Sequence, residues 1–423
     1  MNTSKNKNKN FFLLGLFLIS FLYLFIRLYH LNTLIGFRLD QGLHLLETKS
    51  LFDSKRVGLL GPMVTSKSFM GRNIFIGSNY YYVLGGLGLV GRWDPFFITV
   101  CFILLEYFLF LFFILFLKRK FDSIYALIIF LSIALSPYLV VHSRFFWNTH
   151  FLIPLSILVL MSLEKFIFKK QFRYLFLAAF FWGFAFASHY SAILWGSLFL
   201  YILVKSREYL NFKSYLIIIS GFILGDLPFL IFEVRHNFYN IKTLLYIYLN
   251  SPQSRELPSQ HIVFPFLIFI IYLSLFLLSK IKKKTIGYSI IIIISIFLLL
   301  FQSKYIKNYA PLDVIPGWNY PEQLRVTNLI LGNGCPQNFN IAATMQGDTR
   351  FYDLRYLLNV RGCNPLPVEA YPQAEKLFLV APPDRPVETE TVWEVNVLRP
   401  FKISRKIAIN DKIVFFELDR IKK

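Results

Sequence analysis

A chain of 423 residues that is 56% hydrophobic and 16% charged does not read as a soluble protein, which would carry about 25% charged residues. Its formal charge of +21 does not point to nucleic acid, because many Lys and Arg sit in short clusters between apolar runs, as topology signals and lipid-headgroup contacts do. The composition shifts near Lys304 and predicts two domains, an apolar body over 1–303 and a soluble-type module over 304–423.

The first predicted span, Phe11–Leu31, has a basic start and an apolar core. No small-x-small cleavage site follows it, and Arg27, Leu28, Tyr29 and His30 extend the helix, so it reads as an uncleaved anchor. A long external loop, 32–94, comes next and opens with GFRLDQGLHLLETKSLFDSKR. Read as a helix, it puts Leu39, Leu43 and Leu46 on one face and Asp40, His44 and Glu47 on another. That pattern predicts a helix along the membrane surface with its carboxylates toward a wet cavity; an ordinary solvated face has the same spacing. Farther along, Lys67 and Arg72 lie in a Gly/Ser-rich stretch where they could approach an anion or serve as plain surface charge. Tyr80, Tyr81 and Tyr82 suit an interfacial belt as well as a sugar platform. Asp94-Pro95 predicts the cap and first turn of the next helix.

Eight further spans are predicted: Pro95–Leu117, Ser123–Val141, Trp147–Leu163, Tyr174–Ala187, Ser191–Val204, Ser214–Phe232, Ile262–Ser279 and Ile286–Gln302. The two short ones on either side of Ser188–Tyr190 suit a helical hairpin broken at membrane depth. With a cytoplasmic N-terminus every inner loop is basic, while the short outer loops carry only Arg144, which places 304–423 outside. Four polar groups fall at outer helix ends or inside spans. HSRFFWNTH offers Arg144, either an anion clamp with a planar fork or an Arg snorkelling to the interface. GFAFASHY ends in His189 and Tyr190, and GDLPFLIFEVRHNF sets Asp226 inside a span with Arg235 and His236 after it. An ionisable group at membrane depth is a functional candidate by default, Asp226 more than the apolar-flanked Glu106. No P-loop, HExxH or paired CxxC is present, so any chemistry is expected on the external side without a cytoplasmic nucleotide.

Taken in order, Asp40-Gln41, LLGP, GSNYYY, HSRFFWNTH, GFAFASHY and PFLIFEVRHNF resemble the motifs of the GT-C superfamily of polyprenyl-phosphate-sugar glycosyltransferases. Within it the sequence is similar to the protein O-mannosyltransferase and lipid A aminoarabinose transferase branch, glycosyltransferase family 39-like. Gln41 stands where some relatives carry a second acid, and Thr149-His150 replaces Pro-Asn.

The spans and loop charges predict a polytopic α-helical membrane protein of about nine spans, fewer than the larger relatives have, with a small C-terminal α/β extracytoplasmic domain, and the resemblance makes the bundle GT-C-like. The same resemblance implies an inverting transfer of a sugar from a polyprenyl-phosphate donor to a hydroxyl of a lipid, glycan or protein acceptor at the outer face of the plasma (inner) membrane. Asp40 would be the general base. Arg144, Lys67, Arg72 and Arg235 would hold the leaving phosphate, while His189, His44 and Tyr81 would contact sugar or phosphate. The sequence identifies no cofactor with certainty, and a divalent metal stays open. A transporter or flippase for lipid-linked sugars is the alternative, and an accessory membrane protein a further one. The former needs polar residues through the full bilayer depth.

In the C-terminal module, strand-like runs at Phe339–Met345, Leu377–Val380 and Lys412–Leu418 alternate with a helix-like run at Thr349–Val360. Cys335 and Cys363 flank the first strand and that helix, on the side where disulfides persist, and a bridge between them is expected. Cys101 lies within a span as a small apolar residue.

Overall fold

The structure, a computed structural model, describes residues 2–64, 72–205, 211–250, 259–305, 315–332, 334–345 and 348–421. Helix α1 (Asn2–Leu28) leaves Phe11, Leu14, Phe17 and Phe21 exposed while Phe12, Tyr23 and Arg27 are buried, so one stripe is left for lipid. The short α2 (Leu31–Leu34) leads into α3 (Leu39–Asp53), the hairpin β1 (Leu60–Met63) and β2 (Phe75–Gly77), and α4 (Asn79–Val90). Helix α5 (Pro95–Lys120) starts as the sequence predicts: the Asp94 carboxylate accepts from Phe96 N at 2.8 Å, and Pro95 fills the first turn.

Helices α6 (Ser123–Leu135) and α7 (Pro137–Ser143) form one apolar segment bent by 62°. Pro137 has no N–H to give to the Ile133 carbonyl four residues back. The Arg27 guanidinium takes that place, donating to Ile133 O and Ala134 O at 3.1 Å each while stacking on Tyr23. A proline break in one helix is thus satisfied by an arginine buried in another. Helices α8 (Leu152–Lys169) and α9 (Phe172–Ser188) follow, and after a 3₁₀ turn at Tyr190–Trp195 comes α10 (Gly196–Lys205). A second bent pair, α11 (Phe212–Gly225) and α12 (Leu227–Arg235), turns by 83° at Asp226. Helix α13 (Tyr239–Asn250) precedes α14 (Ser259–Leu278) and α15 (Lys284–Tyr305).

Among the described residues four helices are long and apolar enough to cross a membrane, or up to six if each bent pair is one span. Three shorter apolar helices accompany them. The nine sequence-predicted spans fall on these segments, two of them bent rather than straight.

The C-terminal part holds α16 (Tyr320–Leu331), β3 (Phe339–Ala343), α17 (Tyr352–Val360), β4 (Lys376–Ala381), α18 (Trp393–Asn396), β5 (Phe401–Asn410) and β6 (Ile413–Arg420). Its four-stranded sheet has the order β3-β4-β6-β5, with β3 and β4 parallel across α17 and the other pairs antiparallel. This is the expected small α/β domain, with β5 and α16 added to the predicted elements. Cys335 and Cys363 are bridged with Cα atoms 5.4 Å apart, as expected, tying the approach to β3 to the end of α17.

Candidate active site

Asp40 lies in the first turn of α3, exposed, at the helix end where the backbone dipole favours an anion. Behind it stands Tyr80 of α4, fully buried, whose hydroxyl donates to Phe146 O at 3.4 Å. Burial pushes the Tyr80 phenol well above its usual range, and the charge of Asp40 pushes it the same way. One turn along α3, His44 is buried edge-on against Tyr80, ring centroids 5.4 Å apart, with Tyr81 at 6.1 Å. Burial pushes its imidazole pKa down to about 3, so it is neutral at pH 7, and its Nδ1 has no hydrogen-bond partner among the described residues. Glu47 follows on the same side and accepts the hydroxyl proton of Tyr81. The surrounding protein raises the Glu47 carboxyl although part of the side chain is exposed, and the Tyr81 hydrogen bond opposes that rise.

The buried face of α3 differs from the expected one. Gln41, Gly42, His44, Leu45 and Thr48 are buried, while Leu39, Leu43 and Leu46 are only half-buried. The reason is tertiary. The helix is clasped between α4 and α17 instead of lying on lipid by its leucines. The side-chain amide of Gln41 and the hydroxyl of Thr48 are fully buried without partners among the described residues, a cost of about 1–3 kcal/mol for each such group.

Arg144 follows α7 and is buried. Its guanidinium donates to the carbonyls of Ile26 at 2.5 Å, Arg27 at 3.1 Å and Tyr29 at 3.1 Å, covering the open carbonyl end of α1. Its own carbonyl accepts from Gly36 N at 2.9 Å, so Arg144 also fixes the strand of chain leading to Asp40. Beside it opens a cleft of about 440 Å³ lined by Phe25, Tyr29, His30, Thr33, Leu34 and the arginine itself.

The other sequence-predicted residues are spread over the β1–β2 segment, α9, α12 and the ends of those helices. His189 links α9 to the following 3₁₀ turn, its Nδ1 2.7 Å from Ser191 Oγ and accepting from Ser191 N at 3.2 Å. The Tyr190 hydroxyl donates to Phe75 O. Asn240 receives Phe75 N at 2.9 Å and gives its own amide to the buried Glu233 at 2.8 Å. Asp226 is fully buried at the helix break, both carboxylate oxygens without hydrogen-bond partners among the described residues. Arg72 is exposed and stacks on Tyr246 at 4.2 Å, and Arg235 is exposed at the end of α12. Lys67 lies outside the described residues.

No curated protein matches the chain in sequence. Residues 80–232, from α4 to α12, match the family model described as dolichyl-phosphate-mannose-protein mannosyltransferase. The structure is similar to that of ArnT from Cupriavidus metallidurans, solved bound to undecaprenyl phosphate. The TM-score is 0.50 at 12% identity, over 96% of this chain and 97% of that one. The chain shares the fold of that structure.

The family match starts at Tyr80 and leaves Asp40 outside it, so only the likeness of fold reaches the Asp40 loop. Two site features escaped the sequence. Tyr80 was visible as one of three tyrosines, but which of them turns inward behind Asp40 depends on how α4 packs. The contacts of α3 with the C-terminal domain come from residues hundreds of positions away, and no local signal reports them. Among the described residues no three His, Cys, Asp or Glu side chains converge as a metal site.

Proposed function

We propose that this protein moves a sugar from a polyprenyl-phosphate donor to an acceptor hydroxyl at the extracytoplasmic face of the plasma membrane, with inversion at the anomeric carbon and Asp40 as the general base. The observation that carries the reading is the whole-chain likeness to a lipid-linked-sugar transferase fold, joined to a family match through the central helices. Asp40 supports it by its place: an exposed carboxylate at a helix N-terminus, backed by a buried tyrosine and flanked by neutral His44. The body over 1–303 acts as the transferase unit and the module over 304–423 as an outer domain. The Cys335–Cys363 bridge supports an oxidising location for that domain.

In the reaction the Asp40 carboxylate takes the acceptor hydroxyl proton as the oxygen attacks the anomeric carbon. The bond from that carbon to the phosphate oxygen breaks, and its electron pair leaves with the phosphate. A phosphate departs as an anion without a proton donor, so the site needs fixed positive charge. Arg144 is held rigid by the end of α1 and lines a cleft at the outer end of that helix, which suits it to this task. Arg72, Arg235 and Lys67 are the further cations. His44, Tyr81 and His189 bind the sugar or the phosphate. The acceptor is a lipid, glycan or protein hydroxyl.

The test uses the purified protein in nanodiscs with polyprenyl-phosphate mannose or aminoarabinose and a cell-envelope acceptor fraction. The reading expects release of polyprenyl phosphate together with a product of inverted anomeric configuration. In a parallel assay in sealed proteoliposomes, movement of the lipid-linked sugar across the bilayer with no phosphate release would support the transport reading instead.

A further inference from the structure

Helix α3 is gripped at both sides of Asp40 by the C-terminal domain. Before the helix, the Phe37 carbonyl accepts from Gln323 Nε2 of α16 at 2.9 Å. The same nitrogen donates to Asp353 Oδ2 of α17 at 3.1 Å, and Trp318 Nε1 donates to that oxygen at 2.9 Å. With two acceptors in reach, the Gln323 amide has one orientation that satisfies both. Gln323, Trp318 and Asp353 are all buried. The Phe37 ring lies edge-on to Tyr320 at 6.1 Å and Tyr356 at 5.8 Å. After Asp40, the Gly42 backbone meets the start of α17: a Cβ there would stand 2.5 Å from Tyr352 C and O and from Asp353 N. Two tethers hold the domain to the α4–α5 turn, Tyr356 Oη to Trp93 O at 2.6 Å and Tyr320 Oη to Asp94 Oδ2 at 3.3 Å.

From these contacts we propose that Gln323 and Asp353 are positioning residues for Asp40, so that the outer domain sets the direction of the first turn of α3 and the place of its carboxylate. The inference rests on the general-base reading of Asp40. Its physical basis is local. The Phe37 carbonyl lies before the helix and has no partner within it, so an outside donor fixes the peptide that feeds the first turn. Asp353 in turn fixes that donor. Misplacement of a reacting group by about 1 Å costs on the order of 100-fold in rate.

The experiment compares full-length Gln323→Ala, Asp353→Ala, Asp353→Asn and Asp40→Asn in nanodiscs. One arm follows amide hydrogen exchange, and the other follows polyprenyl-phosphate release from the mannose and aminoarabinose donors. The two Ala variants should exchange faster over residues 37–46 than wild type while β4 and β6 stay protected. Their kcat should fall about 10–100-fold with the donor KM within about twofold. Asp353→Asn keeps an oxygen for Trp318 and Gln323 and should retain most of the activity. Wild-type exchange and kcat in the folded Ala variants overturn the proposal, as does faster exchange spread through the whole sheet, which marks plain destabilisation. A wild-type rate in Asp40→Asn, or no release by the wild type, overturns the general-base reading instead, and the exchange arm still decides whether the domain holds α3.

Discussion

Gln323 and Phe37 lie 286 positions apart in the chain, yet the amide of one donates to the backbone carbonyl of the other at 2.9 Å, three residues before Asp40. The C-terminal domain is therefore part of the wall around the candidate active site. Its fit against α3 is tight enough that the smallest side-chain addition tests it.

That addition is Gly42→Ala. The new methyl would meet the backbone of Tyr352 and Asp353 at 2.5 Å, where nothing can swing aside. Alanine favours a helix by up to about 1 kcal/mol over glycine, but overpacking costs about 1–3 kcal/mol. The expected result is a lower Tm in a thermal melt of the purified protein. A raised Tm would show that α3 and α17 are farther apart than described.

The α3 helix also carries a pH dependence. Burial lowers the pKa of His44 from 6.5 to about 3, so between those values the unfolded chain binds a proton that the folded chain refuses. The stability from this group is complete above about pH 7 and drains away as the pH falls, by up to about 2 kcal/mol at pH 5. His44→Gln should flatten the loss between pH 7 and pH 5 in chemical unfolding. An unchanged slope would mean that His44 titrates freely.

How much of this was legible follows from the range of each signal. The spans were readable because a run of about twenty apolar residues is the length a bilayer demands and a soluble core seldom does. The Cys335–Cys363 bridge was readable because the strand and helix between them return locally. The buried face of α3 was not. Leu39, Leu43 and Leu46 pointed to lipid, but α4 and α17 cover Gln41, His44 and Thr48 instead. Strand β5 was missed because it is an exposed edge whose Lys402, Arg405 and Lys406 hide its period while protecting it from pairing with another chain. Asp40 itself emerged from order and resemblance, whereas its supporting residues come from a distant domain.

Arg144→Lys separates a fork from a charge. Lysine keeps the charge but lacks the planar donors that reach Ile26, Arg27 and Tyr29 together. Each carbonyl left without a partner costs about 1–3 kcal/mol, so a lower Tm is expected together with weaker donor use. Wild-type values of both would contradict the roles given to Arg144.

The bridge gives a test of topology. In intact cells a membrane-impermeant reductant should open Cys335–Cys363 and let an impermeant maleimide label the exposed Cys335, while Cys363 stays buried in the core. Loss of the bridge should destabilise the domain by about 3–4 kcal/mol for a closed loop with a separation of 28 residues. Labelling that appears only after the membrane is permeabilised would put the domain on the cytoplasmic side.

The most direct measurement is the rate of polyprenyl-phosphate release by Asp40→Asn against wild type, with binding of undecaprenyl phosphate followed in parallel. Asparagine keeps the size of the side chain and removes the base. The account predicts a fall of about 10²–10⁴-fold in kcat with lipid-phosphate binding unchanged. Release at the wild-type rate by a folded Asp40→Asn protein would contradict it.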